Sequence, residues 1–482
     1  MAHAPLAEAV RRYAKDQIVR FHMPGHKGGH GLSALTKDIL GERIFELDIT
    51  GVEGMDDLLQ PTGIIKEAEQ LLANAFGADD SYFLINGTSS GLQALILTVC
   101  KTGDKILVPR NMHKSMIAGM ILSGAKPVFL EPVLEDEFCI ALGVTAKQMN
   151  TTWKTYPEAK AALLINPTYY GTTCNLSSLA MVAHQHGRPL LVDEAHGPHF
   201  YFHPALPAGA LSVGADACAQ GAHKTLTSLT QSSWLHVQGP RLDRERLRAA
   251  LAMLLSTSAS YLLLASLDLA REQMMREGRF LLERTIELAL YLRQSLMEIP
   301  GLTVLTPEKL GQEAALGLDP TKVTVNVRRL GLTGQQVELE LRQKYGIQVE
   351  LADLHNVLFM VGPGTKKHDV ISLVTAFRTL ANHYGKRNSA PIKKFAMPPI
   401  PDQAMTPREA FFAPALTVPL MQAKSCISAS TVTCYPPGIP ILCPGEEITA
   451  AVIEYIALMI EEGYRVQGPI IGKTIDLRVV KE

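Results

Sequence analysis

From Ile64 to about Gly239 short apolar runs alternate with helix-like segments, and this alternation constrains the fold more than any other feature of the chain. "IIKEAEQLLANAFG" has helical spacing, "DDSYFLIN" reads as a strand, "GTSSGLQALILTVC" opens a second helix and "KILVP" is a strand again. The cycle continues through "KPVFL", "AALLIN", "LSSLAMVAHQHG", "PLLVDE" and "ADACAQG". Short apolar strands separated by helices are buried on both faces, which predicts an α/β fold: a mainly parallel sheet with helices on both faces.

Beyond this block, roughly Arg241 to Ile299 reads as helical and stops at Pro300 and Gly301. "GLTVLTP", "KVTVNVRRLG", "TGQQVELELRQKYG" and "NVLFMVGPG" then mix strand and helix patterns and predict a smaller α+β domain. The Pro-rich "NSAPIKKFAMPPIPDQAMTP" reads as a linker into a C-terminal module holding "TCYPPGIPILCPGEEIT" and a helix from about Ile448 to Gly463. The expected divisions are an N-terminal arm (1–60), a large domain (61–300), the small α+β domain (301–390) and the C-terminal module (391–482). The first residues, "MAHAPLAEAVRRYAKDQIVRF", have no signal-peptide core and predict a short amphipathic helix leading into an extended segment.

Charge narrows the partners. With 46 basic against 47 acidic residues the chain has no electrostatic footprint for nucleic acid or an anionic membrane, so a small molecule or another copy of itself is the expected partner. The 7 cysteines are scattered without C-x-x-C spacing, which fits reduced thiols and a cytoplasmic location. Ala249 to Leu267 carries no charge, but it contains Ser256, Thr257, Ser258, Ser260 and Ser266 and is bracketed by Arg248 and Asp268. A buried or subunit-facing helix preceded by a polar bend suits it better than a membrane span.

In open parallel sheets ligands bind beyond the C-terminal strand ends, so the residues found there matter most. After "YFLIN" comes "GTSSG", where Thr88, Ser89 and Ser90 offer hydroxyls and N–H groups at a helix start, a seat for phosphate. After "KILVP" comes "RNMHKS" with His113, after "PLLV" comes "DEAHG" with Asp193 and His196, and after "ADACAQG" comes "AHK" with Lys224. A cofactor that uses a lysine, a carboxylate, an imidazole and a phosphate seat is pyridoxal phosphate: the lysine amine takes its aldehyde, and the carboxylate keeps its ring nitrogen protonated. Each residue alone also has a structural reading, since Ser and Thr cap helices and lysines snorkel. A rival exists in "DEAHGPHFYFHP", where His196, His199 and His203 beside Asp193 and Glu194 suggest a metal-dependent hydrolase, although glycine and proline break any single helical face.

"HMPGHKGG", "NGTSSG", "NMHKS", "NPTYYGT", "DEAHG", "AHKTLTSLTQSS", "TSASYLLLASLD" and "YPPGIPILCPGE" follow in an order that resembles the Orn/Lys/Arg decarboxylase family, fold-type I enzymes dependent on pyridoxal phosphate. The resemblance spans nearly the whole chain and is to the short form, which begins near "MPGHKGG" without an N-terminal wing domain. It implies that Lys224 carries the cofactor, Asp193 pairs with the ring nitrogen, His113 stacks on the ring, and Thr88, Ser89 and Ser90 hold the phosphate. It further implies that Ser256 reaches the phosphate of a neighbouring subunit, that His196 and His223 line the site, and that Glu446 faces the substrate's distal cation.

The implied reaction removes carbon dioxide from a basic L-amino acid and protonates the carbanion left behind, with His223 or Lys224 as donor. Arginine, giving agmatine, is the favoured substrate; lysine or ornithine, giving cadaverine or putrescine, are alternatives. The implied assembly is at least a dimer with sites at the subunit interface. An aminotransferase or aldol-type lyase would use the same Lys224 and Asp193, and a non-catalytic homologue stays open as well. Three departures stand out: Gly221 where the family has serine, Ala259 where it has proline, and "TGVEGMDDL" near the start.

Overall fold

The computed structural model describes residues 3–16, 18–311, 313–385, 397–435, 439–468, 470–471 and 475–481. Residues 388–396 of the expected linker and Pro436 to Gly438 of "YPPGIPILCPGE" lie outside these. In chain order, the elements that matter here begin with α1 (Pro5–Lys15), α2 (Ile64–Phe76), β1 (Asp80–Leu84), α3 (Gly87–Val99), β2 (Lys105–Pro109), α4 (Lys114–Ser123) and β3 (Lys126–Leu130). Next come β4 (Ala162–Ile165), α5 (Leu176–Gln185), β5 (Leu190–Asp193), β6 (Ala217–Gln220), the one-turn α6 (Ala222–Thr225), β7 (Ser233–Val237), α7 (Arg244–Leu254) and α8 (Tyr261–Met297). The last are β8 (Lys322–Asn326), α9 (Gly334–Tyr345), β9 (Asn356–Met360), α10 (Lys367–Tyr384), β10 (Val432–Tyr435), β11 (Ile439–Leu442) and α11 (Ala450–Glu461).

The chain divides into two compact units, residues 1–99 with 189–282 and residues 100–188 with 283–482. In the first, the strand order is β1–β7–β6–β5. β5 and β6 are parallel, whereas β7 is antiparallel to both of its neighbours. β1 and β6 therefore point the same way, and the C-terminal ends of β1, β5 and β6 share one edge. α3 leaves β1 through Gly87, whose φ of 74° lies in the left-handed region that glycine adopts without strain. Gly91 lets α3 lie close to the strands, since a Cβ there would come within 2.7 Å of Leu84 Cδ1 and 3.3 Å of Ala219 Cβ. The uncharged run from Ala249 to Leu267 is broken between α7 and α8, and among the described residues no helix is long and apolar enough to cross a membrane.

In the second unit β4, β2 and β3 are parallel neighbours in that order. β2 leads into α4 as the alternation predicts, whereas β3 and β4 are followed by short extra strands (Leu134–Glu135 with Ile140–Ala141, and Thr172–Thr173) before the next helix. β8 and β9 pair antiparallel, and Val323, Val325 and Val357 on them are buried in one core with Val337 and Leu341 of α9 and Phe377 of α10. A second core gathers Val432 and Ile441 from the β10–β11 pair with Val452, Ile456 and Met459 of α11. Each such fully buried side chain contributes about 1.5–3 kcal/mol of transfer free energy. The fold class is thus α/β with a mainly parallel central sheet, helices and smaller sheet regions.

Candidate active site

Three of the strand ends named from sequence lie in the first unit, on one edge. At the start of α3, Thr88 Oγ1 is 3.0 Å from Ser233 Oγ, and Ser90 Oγ–H donates to Gly87 O at 2.8 Å. Two hydroxyls therefore brace the turn, Ser89 beside them is half-buried, and the first N–H groups of the helix have no partner within it, an arrangement whose chemistry suits an anion.

Asp193 ends β5 at 5% exposure, and its Oδ1 accepts from Ala195 N–H at 3.1 Å. Gly221 follows β6 directly and donates its N–H to Ala195 O at 3.1 Å, which ties the two strand ends together. α6 then carries His223 and Lys224. Lys224 is half-buried, with Nζ 3.2 Å from Nε2 of the buried His196. The two nitrogens lie within hydrogen-bond distance, and the His196 tautomer decides which of them donates. His223 Nδ1–H donates to Ser232 O at 2.8 Å, which assigns the tautomer and leaves Nε2 as the nitrogen able to take or deliver a proton. Ser256 sits exposed in the break between α7 and α8, its Oγ accepting from Ser258 N–H at 3.2 Å.

A buried polar chain adjoins these groups, and of its members sequence reasoning named only Glu194, as part of the metal rival. Glu194 Oε1 accepts from Ala210 N–H at 2.7 Å, and Oε2 accepts from Tyr201 O–H at 3.0 Å and Gln220 Nε2–H at 2.8 Å. Gln220 Oε1 in turn accepts from His236 Nε2–H at 3.0 Å, and His236 Nδ1 lies 2.7 Å from Ser81 Oγ. Burial pushes the Glu194 carboxyl up to about 7 and the His236 imidazole down to about 3, so His236 is neutral. A glutamate directly after a strand-end aspartate and a histidine inside the apolar "SWLHV" were the available signals.

The second unit holds the other two predicted residues. His113 is exposed at the N-cap of α4, its Nδ1 accepting from Ser115 N–H at 3.3 Å and lying 2.8 Å from Ser115 Oγ. Glu446 is 0% exposed. Its Oε1 pairs with Arg110 Nη1, and its Oε2 accepts from Arg110 Nη2–H at 2.8 Å and Cys443 N–H at 2.7 Å. The carboxylate expected to face a substrate cation is thus engaged by a guanidinium of its own chain. Among the described residues no group of three or more His, Cys, Asp or Glu is gathered to hold a metal ion. Glu194, a member of the rival metal set, is instead spent on Tyr201, Ala210 and Gln220.

The donor set fits pyridoxal phosphate in its chemistry: an amine hydrogen-bonded to an imidazole, a strand-end carboxylate, and a helix N-terminus lined by hydroxyls for a dianion. Fold and donor set together define an α/β enzyme scaffold of the fold-type I kind. The chain belongs to the Orn/Lys/Arg decarboxylase family: residues 4–369 match the model of its major domain and residues 391–468 that of its C-terminal domain. It is 43% identical over 479 residues to an arginine decarboxylase of Bacillus subtilis (strain 168), covering 99% of this chain and 98% of that protein. An arginine decarboxylase of Bacillus anthracis is 41% identical over 479 residues, covering 99% of this chain and 97% of that protein. Among solved structures, the lysine decarboxylase LdcF of Francisella novicida superposes with a TM-score of 0.85 at 24% identity, covering 100% of this chain and 81% of that one, and so shares the fold.

Proposed function

We propose that this chain is a pyridoxal-phosphate-dependent arginine decarboxylase that releases carbon dioxide and agmatine. The observation that carries the reading is the 43% identity, over 99% of this chain, with a protein named arginine decarboxylase. When bound, the cofactor supplies an electron sink for the electron pair left as carbon dioxide departs. Lys224 is the lysine that carries it. Asp193, whose Oδ1 accepts from Ala195 N–H, would pair with the ring nitrogen and so strengthen the sink. Thr88, Ser89, Ser90 and the first N–H groups of α3 would hold the phosphate, and His113, whose Nδ1 lies 2.8 Å from Ser115 Oγ, would help to hold the ring. His223, with Nδ1–H committed to Ser232 O, offers Nε2 as donor of the proton that replaces the carboxyl group on the α-carbon; Lys224 Nζ is the other donor.

The functional unit is at least a dimer, in which Ser256 reaches the neighbouring site; its exposed position between two helices supports this. The enzyme works in the cytoplasm, a reading supported by seven cysteines of which none forms a disulfide. The deciding test incubates purified protein and pyridoxal phosphate with arginine, lysine and ornithine in parallel, following carbon dioxide and separating the amines. Agmatine as the main product is expected. Cadaverine or putrescine in its place would move the substrate to lysine or ornithine, and a keto acid without gas would replace decarboxylation by amino transfer.

A further inference from the structure

Arg110 follows β2 directly and is 3% exposed, and its guanidinium is held on several sides. Nε–H donates to Pro440 O at 2.7 Å, and Nη2 donates to Ile441 O at 2.9 Å as well as to Glu446 Oε2. Nη1 completes a bidentate pair with Glu446 Oε1, and the guanidinium carbon lies 4.4 Å from the centre of the Phe129 ring. Glu446 is built in from its own side too, since its N–H donates to Cys443 O at 3.2 Å and its carbonyl accepts from Ser428 N–H at 2.8 Å. The turn that Arg110 opens is closed by Met112 N–H to Pro109 O at 3.1 Å, braced by Asn111 Nδ2–H to Leu142 O at 3.2 Å, and ends at His113.

We propose that Glu446 is a positioning residue: through Arg110 it fixes the turn that carries His113, and it does not itself receive the cationic head of the substrate. A second guanidinium or ammonium reaching this carboxylate would have to displace Arg110, leaving a buried cation without its carboxylate beside two backbone carbonyls, the Phe129 ring and Cys443. The pair is planar and bidentate, a geometry that lysine does not reproduce. The inference rests on the decarboxylase reading, in which the substrate has a distal cation and His113 stands against the cofactor.

The test uses Glu446→Gln, Arg110→Lys, their combination, and Glu446→Asp. In the apoprotein each single change is expected to lower Tm, and the double variant to lose no more than the worse single one, because the two residues act as one unit. In the loaded enzyme each lowers kcat by roughly tenfold or more and moves KM for arginine, lysine and ornithine by a common factor. Both also shift the visible band of the bound cofactor in the same sense, and Glu446→Asp, which keeps a carboxylate for Arg110, recovers part of the loss. Should Glu446→Gln fail to fold, Glu446→Asp paired with Arg110→Lys carries the same comparison. The proposal is overturned if Glu446→Gln raises KM for one of the three amino acids by roughly a hundredfold while apoprotein Tm and band stay at parent values and Arg110→Lys behaves as parent. It is overturned as well if the two Tm losses add. A parent protein inactive on all three substrates would sink the decarboxylase reading alone, since the Tm comparison is made without substrate or cofactor.

Discussion

Gly221 stands against Lys224 in a way that a larger residue does not permit. Its φ of −89° and ψ of 86° are open to any residue, so space and not conformation is what the glycine provides. A Cβ would come within 2.8 Å of Ala195 O, 3.0 Å of Lys224 Cδ and 3.1 Å of Lys224 Cγ. The lysine stem can yield, but Ala195 O belongs to backbone that already accepts the Gly221 N–H. The serine that the family resemblance places here would therefore bring a hydroxyl for phosphate and a push on the lysine at once. The push is expected to win: Gly221→Ala should weaken cofactor binding several-fold and cost about 1–3 kcal/mol of stability through overpacking. Absorbance titration with pyridoxal phosphate and urea unfolding of the apoprotein measure the two. Gly221→Ser beside it isolates the hydroxyl, and parent-like affinity in the alanine variant would refute the steric account. The sequence displays the glycine, but the reason for it lies in the carbonyl of Ala195, 26 positions away by number (221 − 195), which no local pattern connects.

At the scale of elements, α2 owes its start to a residue outside it. Asp56 lies in the left-handed region at φ 68°, and its carboxylate accepts from the N–H groups of Asp57 at 2.9 Å, Thr62 at 3.0 Å, Gly63 at 2.8 Å and Ile65 at 3.0 Å. Burial alone would raise its pKa, but the backbone N–H groups of Thr62, Asp57, Gly63 and Lys66 outweigh it and hold the carboxyl below its usual range. The loop "TGVEGMDDL", which departs from the family pattern, is thus folded onto the helix N-terminus. Asp56→Ala removes the cap and places alanine in a conformation that disfavours it, and a loss of about 1–2 kcal/mol is expected in urea unfolding. Asp56→Asn, which tolerates the left-handed region and keeps one acceptor oxygen, should recover part; an alanine variant as stable as the parent would show the loop to be held by something else. Strands and helices were legible here because hydropathy changes period between them. The antiparallel direction of β7 was not, since "SWLHV" marks a buried strand without saying which way it runs. Arg110 was passed over for a similar reason: a charge directly after a strand reads as a loop residue until the carboxylate from the C-terminal region is seen to meet it.

For the molecule as a whole, the buried ionisable groups of the first unit set how stability responds to pH. Burial, helped by repulsion from Asp56, pushes Glu69 up to about 8 against the attraction of Lys66 and Arg248, and among the described residues its Oε2 has no hydrogen-bond partner. Glu194 is pushed up to about 7 by the same cause. A carboxyl raised in the folded state keeps a proton that the unfolded chain releases, so its contribution to stability is whole below the ordinary range near 4.5 and is lost as pH rises through the folded value. For Glu69 that window runs from about 4.5 to about 8 and for Glu194 from about 4.5 to about 7. His236, pushed down to about 3, works the other way: the unfolded chain takes up its proton below about 6.5, and stability is lost as pH falls from there. Each unit of such a gap corresponds to about 1.4 kcal/mol, so Glu69 alone matters on the order of a few kcal/mol at alkaline pH. Glu69→Gln carries the neutral form at every pH, and its amide oxygen can keep the bond from the Phe83 N–H. The apoprotein variant is therefore expected to melt within a degree or so of the parent near pH 5 and progressively above it as pH rises to 8, by several degrees. Thermal melts of both proteins across that range decide it: a constant difference at all pH values would mean that Glu69 is charged in the fold and that its solitary Oε2 is solvated after all.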